Sequence, residues 1–247
     1  MDKTSESDEI SSLISKYSPF FKEIKKRFIV TLVIFILALI AGFIFYENII
    51  RFIVGLLRLD GVNIVFTSPF QFLSLAMTSA MLVAIIVVLP LIIYQIMSFL
   101  RPALRRNEFK IIVTFIPFSI ILFVSGFGFG LVIMRYIIEI FYQKSLELNI
   151  GNFLDISNLL SQVLITSALM GLAFQFPIIL TILIRLEIIS YKFLENYRLW
   201  AYIASLIFAA FLPPTDLLSL FLLCLPLVFL FEVTIIINKY IFRMKRS

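Results

Sequence analysis

Long apolar runs separated by short charged ones organise this chain. Six apolar segments stand at about 28–46, 71–99, 109–134, 159–184, 199–212 and 217–237. Five of them reach the roughly 18–20 residues that a helix needs to cross bilayer hydrocarbon. The period-two alternation of an outer-membrane barrel is absent. The pattern predicts an all-α polytopic membrane protein with six transmembrane helices. Residues 1–18 are polar and acidic (Asp2, Glu6, Asp8, Glu9) and read as a flexible cytoplasmic tail, without the apolar core and small-residue cleavage site of a signal peptide. Residues 19–247 then form a single six-helix transmembrane domain. The second segment opens after Thr67-Ser68-Pro69, where a proline in the first helical turn is tolerated. The third extends past Arg135 toward Tyr142 at the interface.

Breaks in the pattern shape these helices. Pro90, Pro117, Pro177 and Pro226 each stand inside a span. Each lacks the N–H that would close a helical bond, so each predicts a kink, and four kinks predict a curved, concave wall. Gly126, Gly128 and Gly130 recur at spacing two, which a helix does not align on one face, so they read as local flexibility. The last two spans are expected to be short. Segment 199–212 measures roughly 21 Å at 1.5 Å per residue, against a hydrocarbon core of about 30 Å. The outer hairpin Leu212-Pro213-Pro214-Thr215-Asp216 therefore stops short of the outer surface, or the bilayer thins around it.

Composition and charge sharpen this reading. The chain of 247 residues is 62% hydrophobic and 15% charged, with a mean hydropathy of +1.09. Its 21 lysines and arginines are placed unequally. Seventeen fall on the side of the N-terminus, the 100–110 and 185–198 loops and the C-terminus, and four (Arg51, Arg58, Arg135, Lys144) on the other. That bias predicts a cell (cytoplasmic) membrane protein with both termini cytoplasmic. It also accounts for the net charge of +6 through topology and anionic membrane lipids, with no nucleic acid as partner. Histidine is absent and Cys224 is the one cysteine, which argues against metal sites, haem, iron–sulfur clusters and a Cys–His pair. No Walker A run or dinucleotide turn occurs. No cofactor, no metal and no enzymatic chemistry are expected.

A few polar groups interrupt the apolar segments. Gln175 lies deepest, two residues before Pro177, and serves there as helix–helix glue or faces a polar cavity. Glu232 stands about one turn inside the cytoplasmic end of the last span, placed to snorkel or to pair with a basic loop residue. Gln95 and Gln162 lie nearer span ends. Two further carboxylates sit in basic runs at one membrane face: Glu23 in Lys22-Glu23-Ile24-Lys25-Lys26-Arg27 and Glu108 in Arg105-Arg106-Asn107-Glu108. Local physics offers an ordinary reading for each. Glu23 is four residues before Arg27, an (i, i+4) surface pair. Glu108 opens a helix, where a carboxylate favours the positive helix end.

These residues, taken in order, resemble the TatC family, the multispanning core of the twin-arginine protein translocase. Phe20-Phe21-Lys22-Glu23-Ile24-Lys25-Lys26-Arg27-Phe28 is similar to the family's N-terminal motif His-Leu-x-Glu-Leu-Arg-x-Arg-Leu. Thr67-Ser68-Pro69-Phe70, the run from Pro90 through Arg101-Pro102-Ala103-Leu104 to Asn107-Glu108, and Gly171 to Pro177 resemble successive family segments. So do Phe211-Leu212-Pro213-Pro214-Thr215-Asp216 and Pro226 to Glu232. Three positions depart from the pattern: Phe20 replaces the usual His, Lys25 the usual Arg, and Gln175 a Glu found in many members.

The resemblance implies a core and receptor subunit that binds Arg-Arg signal peptides at its cytoplasmic face, for export of folded proteins driven by the proton-motive force. It implies that Glu23 and Glu108 contact the paired arginines, with Lys25, Arg27 and Arg105 in the same signal-peptide site, and that Asp216 marks the outer hairpin. The implied partners are small single-span subunits of the TatA/TatB type, twin-arginine signal peptides of folded precursors, and further copies within a hetero-oligomeric complex. The chemistry suits that role, because a guanidinium presents a donor fork that a carboxylate accepts at two oxygens, whereas a lysine is a point charge. The alternative is a secondary transporter or channel for a small solute, which requires a charged or discontinuous site at mid-membrane. An intramembrane enzyme is a distant third.

Overall fold

The computed structural model describes residues 3–57, 64–65, 68, 70–100, 106–148, 154–185 and 188–244. In chain order these form α1 (Lys3–Ile44), α2 (Tyr46–Leu57), β1 (Ile64–Val65), α3 (Gln71–Leu100), α4 (Arg106–Glu147), β2 (Leu154–Asp155), α5 (Ile156–Ala173), α6 (Phe176–Arg185), α7 (Tyr191–Asn196), α8 (Arg198–Ala210) and α9 (Leu217–Met244). Five stretches are long and apolar enough to cross a membrane: Lys22–Ile44, Gln71–Gln95, Ile116–Glu147, Ser157–Arg185 and Leu217–Tyr240. The shorter apolar helix Arg198–Ala210 completes the expected six. The protein is an all-α, multi-pass membrane protein, with, among the described residues, one two-residue parallel strand pair, Ile64 opposite Leu154 and Val65 opposite Asp155.

The helices pack as a row. α1 lies against α3, α3 against α5 and α4, and α4 against α5; α6, α7 and α8 lie against α9. Large apolar side chains remain outward along the whole row, among them Phe28, Leu37, Val124, Phe176 and Phe229. In water such surface would collapse; in lipid it is the solvated face. The amphipathic helix α2, which the sequence reading passed over, closes one end of the bundle. Its Ile53 and Leu57 are buried with Leu75, Met134, Ile137 and Leu160, while Arg51 and Phe52 face outward. This end also carries the strand pair and a bond from Gln71 Nε2 to Asp155 Oδ2 at 2.6 Å. Asp155 caps α5 by accepting the amides of Ser157 and Asn158. The opposite end holds the basic runs and is called the basic face below.

Several of these expectations are refined in the folded protein. The backbone of residues 3–18, expected as a flexible tail, is helical and continuous with the first span. Pro90, Pro117 and Pro226 stand inside α3, α4 and α9, as expected, and these helices run on past them. Among the described residues of the five long spans, the interruption falls in the fourth, at Phe174 and Gln175. There Gln175 N–H turns back to Leu172 O at 3.0 Å, and the Gln175 carbonyl accepts the amides of Ile178 and Ile179. Pro177 thus sits in the first turn of a new helix, where its missing N–H leaves no bond unmade. The third span continues past Tyr142 to Glu147.

The two last helices are not equally short. α8 has 13 residues, about 20 Å, but α9 has 28. Near its end Asn238 is buried and donates to Thr181 Oγ1 at 3.1 Å, which ties α9 to α6. The hairpin between them is anchored low. The Pro213 carbonyl accepts Thr166 Oγ1, and Thr166 lies about ten residues, or roughly 15 Å, inside the end of α5. The hairpin therefore stops well short of the end of its neighbouring span.

The glycine stripe is a packing device, not a flexible segment. A Cβ on Gly126 would meet Met170 O at 2.7 Å, and one on Gly130 would meet Ser167 Cα at 2.6 Å. These two positions, four apart, bring α4 against α5, while Gly128 faces open space. The small-xxx-small spacing was present in the sequence, masked by the middle glycine.

Candidate functional site at the basic face

α1 and α3 run antiparallel, so the start of one span meets the end of the other. The polar residues that helical spacing places on their seam form a clasp. Arg27 Nη2 donates to Glu23 Oε1 at 2.5 Å and to Ser98 Oγ at 3.2 Å. Arg27 Nη1 donates to the Gln95 carbonyl. One turn deeper, Thr31 Oγ1 donates to Gln95 Oε1 at 2.7 Å. A cation near the carboxyl end of α3 is favoured by the helix dipole. Beside the clasp opens a cleft of about 540 Å³, lined by Lys22, Glu23, Lys26, Arg27, Tyr94 and Ser98 among others. The Glu23 side chain is 47% exposed there, and that of Arg27 only 20%. The expected helix-surface pair thus exists, with its carboxylate open to the cleft.

The other predicted members are placed less closely. Lys25 is exposed on α1. Glu108 is described by its backbone, in the first turn of α4, as its reading as a helix-start charge expects. Arg105 lies outside the described residues.

Gln175 is tied into the structure at the break between α5 and α6. It is 4% exposed. Its Oε1 accepts Ser119 Oγ at 2.6 Å, and its Nε2 donates to the carbonyls of Ser119 at 3.1 Å and Gly171 at 3.3 Å. The amide therefore joins α4 to the broken span and satisfies a carbonyl near the interruption. It also borders an apolar hollow of about 470 Å³ with Phe28, Leu32, Phe35 and Ile92. At 100° per residue, Phe28, Leu32 and Phe35 face the flank of α1 opposite Lys22, Glu23 and Lys26. The hollow and the basic cleft are thus separate spaces on either side of the α1–α3 seam.

Glu232 pairs with a loop-side cation, one of the two outcomes the sequence offered. Its Oε1 accepts Tyr202 Oη at 2.5 Å and lies 3.6 Å from Arg198 Nε. Glu195 on α7 accepts Lys239 Nζ at 3.0 Å and lies 3.8 Å from Arg198. The network ties α7 and α8 to α9 at the basic face. The bond from Lys239 holds the Glu195 carboxyl below the usual carboxylate range, with Arg198 and Lys192 adding to the effect. Asp216, at the outer hairpin, accepts the Ser219 amide at 2.8 Å and the Ser219 hydroxyl, which makes it the cap of α9. Among the described residues, no group of three or more Cys, Asp or Glu is placed to hold a metal ion.

Residue-by-residue reading missed Ser98, Thr31, Ser119, Tyr202, Glu195 and Asn238. Each is a common residue type whose role depends on a partner far away in sequence. One signal was available: Thr31 follows Arg27 by four and Ser98 follows Gln95 by three, so each pair shares one helix face.

Comparison with known proteins completes the picture. The family described as Sec-independent protein translocase protein (TatC) matches residues 19–226. TatCy of Bacillus subtilis (strain 168) is 32% identical over 227 residues, covering 90% of this chain and 87% of that protein. TatC of Carboxydothermus hydrogenoformans is 31% identical over 215 residues, covering 85% and 88%. The crystal structure of the twin-arginine translocase receptor TatC in DDM shares the fold with a TM-score of 0.79, at 23% identity over 88% of this chain and 98% of that one. With a family match over most of its length, a relative above 30% identity and the same helical architecture, the chain belongs to the TatC family of Sec-independent protein translocase proteins.

Proposed function

We propose that the cleft beside Glu23 receives the paired arginines of a twin-arginine signal peptide, and that the protein is the receptor and core subunit for export of folded proteins. As a TatC protein it is a multi-pass membrane component of a Sec-independent translocase that works with other Tat subunits. The observation that carries the reading is a carboxylate, Glu23, half exposed in a cleft and already geometrically able to accept a guanidinium. Glu108, at the start of α4, supplies the second carboxylate. The cytoplasmic placement of this face follows from the positive-inside bias. Small single-span TatA/TatB-type subunits are the partners, in a hetero-oligomeric complex that holds further copies of this chain. The proton-motive force supplies the energy through that complex.

The solute-transporter alternative gains nothing from Gln175, whose amide is engaged by Ser119 and Gly171. The test is photo-crosslinking of an Arg-Arg signal peptide to membranes carrying Glu23→Ala or Glu108→Ala. Each variant is expected to lose the crosslink while the protein stays folded and inserted. Unchanged crosslinking in both sinks the receptor reading.

A further inference from the structure

The carboxylate that the receptor reading relies on already holds a guanidinium. Arg27 engages Glu23 Oε1 through Nη2, and it also donates to Ser98 Oγ and the Gln95 carbonyl on the α3 side. Among the described residues Glu23 Oε2 has no protein partner, although a carboxylate offers about four lone-pair positions. The contact is therefore end-on. A fork contact through two parallel bonds is the stronger arrangement for the same two groups.

Resting on the proposed function, we propose that Glu23, Ser98 Oγ and the Gln95 carbonyl form the guanidinium subsite of the cleft, and that Arg27 occupies it as an internal stand-in for a peptide arginine. Binding then proceeds by exchange. The incoming guanidinium takes both oxygens of Glu23 and the α3 acceptors, and Arg27 turns out into the cleft. The number of charges paired is unchanged, so no buried charge is left alone during the swap. Because the competent state is only part of the population, apparent affinity falls by the fraction of molecules that are open. The factor is the same for every ligand of this subsite. Arg27 thus sets a threshold: a ligand bearing lysine, which donates to a carboxylate as a point charge, fails to displace a resident guanidinium at working concentration. Arg27 in this scheme sets an affinity threshold common to all ligands of the subsite and never bonds the ligand.

The test uses the full-length protein in detergent or nanodiscs with a fluorescent Arg-Arg signal peptide and its Lys-Lys counterpart. Arg27→Gln is expected to tighten binding of both peptides by about fivefold, from an exposed ion pair and its charge-assisted bonds. Lys26→Gln, which removes a cation from the same cleft, controls for simple charge relief. Its effect is expected to be under about twofold and to vanish at high salt, while the Arg27→Gln gain persists. Glu23→Gln must abolish binding in both backgrounds. If Glu23→Gln leaves binding unchanged, the receptor reading itself fails. If Glu23→Gln abolishes binding but Arg27→Gln weakens it or leaves it unaltered, the receptor reading stands and the exchange mechanism is overturned. Should Arg27→Gln fail to give monodisperse protein, crosslinking in the unsubstituted protein decides. A photoreactive residue beside the peptide arginines is expected to label Tyr94 or Ser98, and labelling that spares both overturns the proposal.

Discussion

Two spans of this molecule solve the same problem in opposite ways. In the first span, Lys22–Ile44, 11% of the most apolar stretch is buried by protein. In the fourth, Ser157–Arg185, the figure is 61%. The fourth is nonetheless the less hydrophobic of the two, and it carries Ser161, Gln162, Thr166, Ser167, Gln175 and Thr181. The inversion has a simple cause. A lipid-facing helix must offer apolar side chains in every direction, whereas a helix surrounded by others can spend positions on small and polar residues that bond its neighbours. Within this bundle, lower hydropathy marks the helix at the centre of the row.

The comparison can be broken most severely at the fourth span. Gly130→Leu is expected to force α4 off α5, since even a Cβ would meet Ser167 Cα at 2.6 Å. Overpacking of this kind costs about 1–3 kcal/mol or more, read as lost thermal stability of the detergent-solubilised protein. Gly128→Leu, in open space, should leave stability unchanged. If the two variants melt together, the α4–α5 contact is not what holds the centre.

Gln175→Leu strands the Ser119 hydroxyl and should cost about 1–3 kcal/mol by the same measurement. Ser119→Ala added to Gln175→Leu should recover part of that loss, because the stranded hydroxyl is then gone. The first span should respond more weakly. Thr31→Val removes the hydroxyl that bonds Gln95 Oε1 and the Arg27 carbonyl and is expected to cost about 0.5–1.5 kcal/mol, read as a smaller drop in thermal stability of the detergent-solubilised protein.

The smallest effect is expected at Glu195. Its pKa is depressed in the folded state, so its ion pairs contribute at pH values above the unfolded carboxylate pKa of about 4.3. That contribution is lost as pH falls through the folded value. Melting curves of Glu195→Gln and the parent protein should differ slightly at neutral pH and converge in acid. A gap that widens on acidification would contradict the ion-pair assignment.

Much of the fold was legible along the chain because lipid imposes its rule one residue at a time. The starts of the second and fifth spans at Gln71 and Arg198 fall within one residue of their expected places. Elements at the edges were harder. α2 is too short and too two-sided to register as a span, and its apolar face is explained only by Leu75, Met134 and Leu160 beneath it. The proline rule also needed context. Pro177 marks a break because Gln175 caps a new helix, whereas Pro90, Pro117 and Pro226 are carried by continuous neighbouring turns.

The candidate site divides along the same line. Glu23 and Arg27 are neighbours by helical spacing, so their pairing was readable without coordinates. That the same guanidinium also reaches Gln95 and Ser98 across the seam was not, for those residues lie about seventy positions away and nothing local distinguishes them. Hydrophobic length and charge bias decided the class, the number of spans and their expected orientation, because partition into lipid depends on side-chain chemistry alone. Only tertiary structure decided which polar groups meet, where the last hairpin stops and which glycines are contacts. Those outcomes depend on register and close approach between helices that are distant in sequence, quantities no single segment contains.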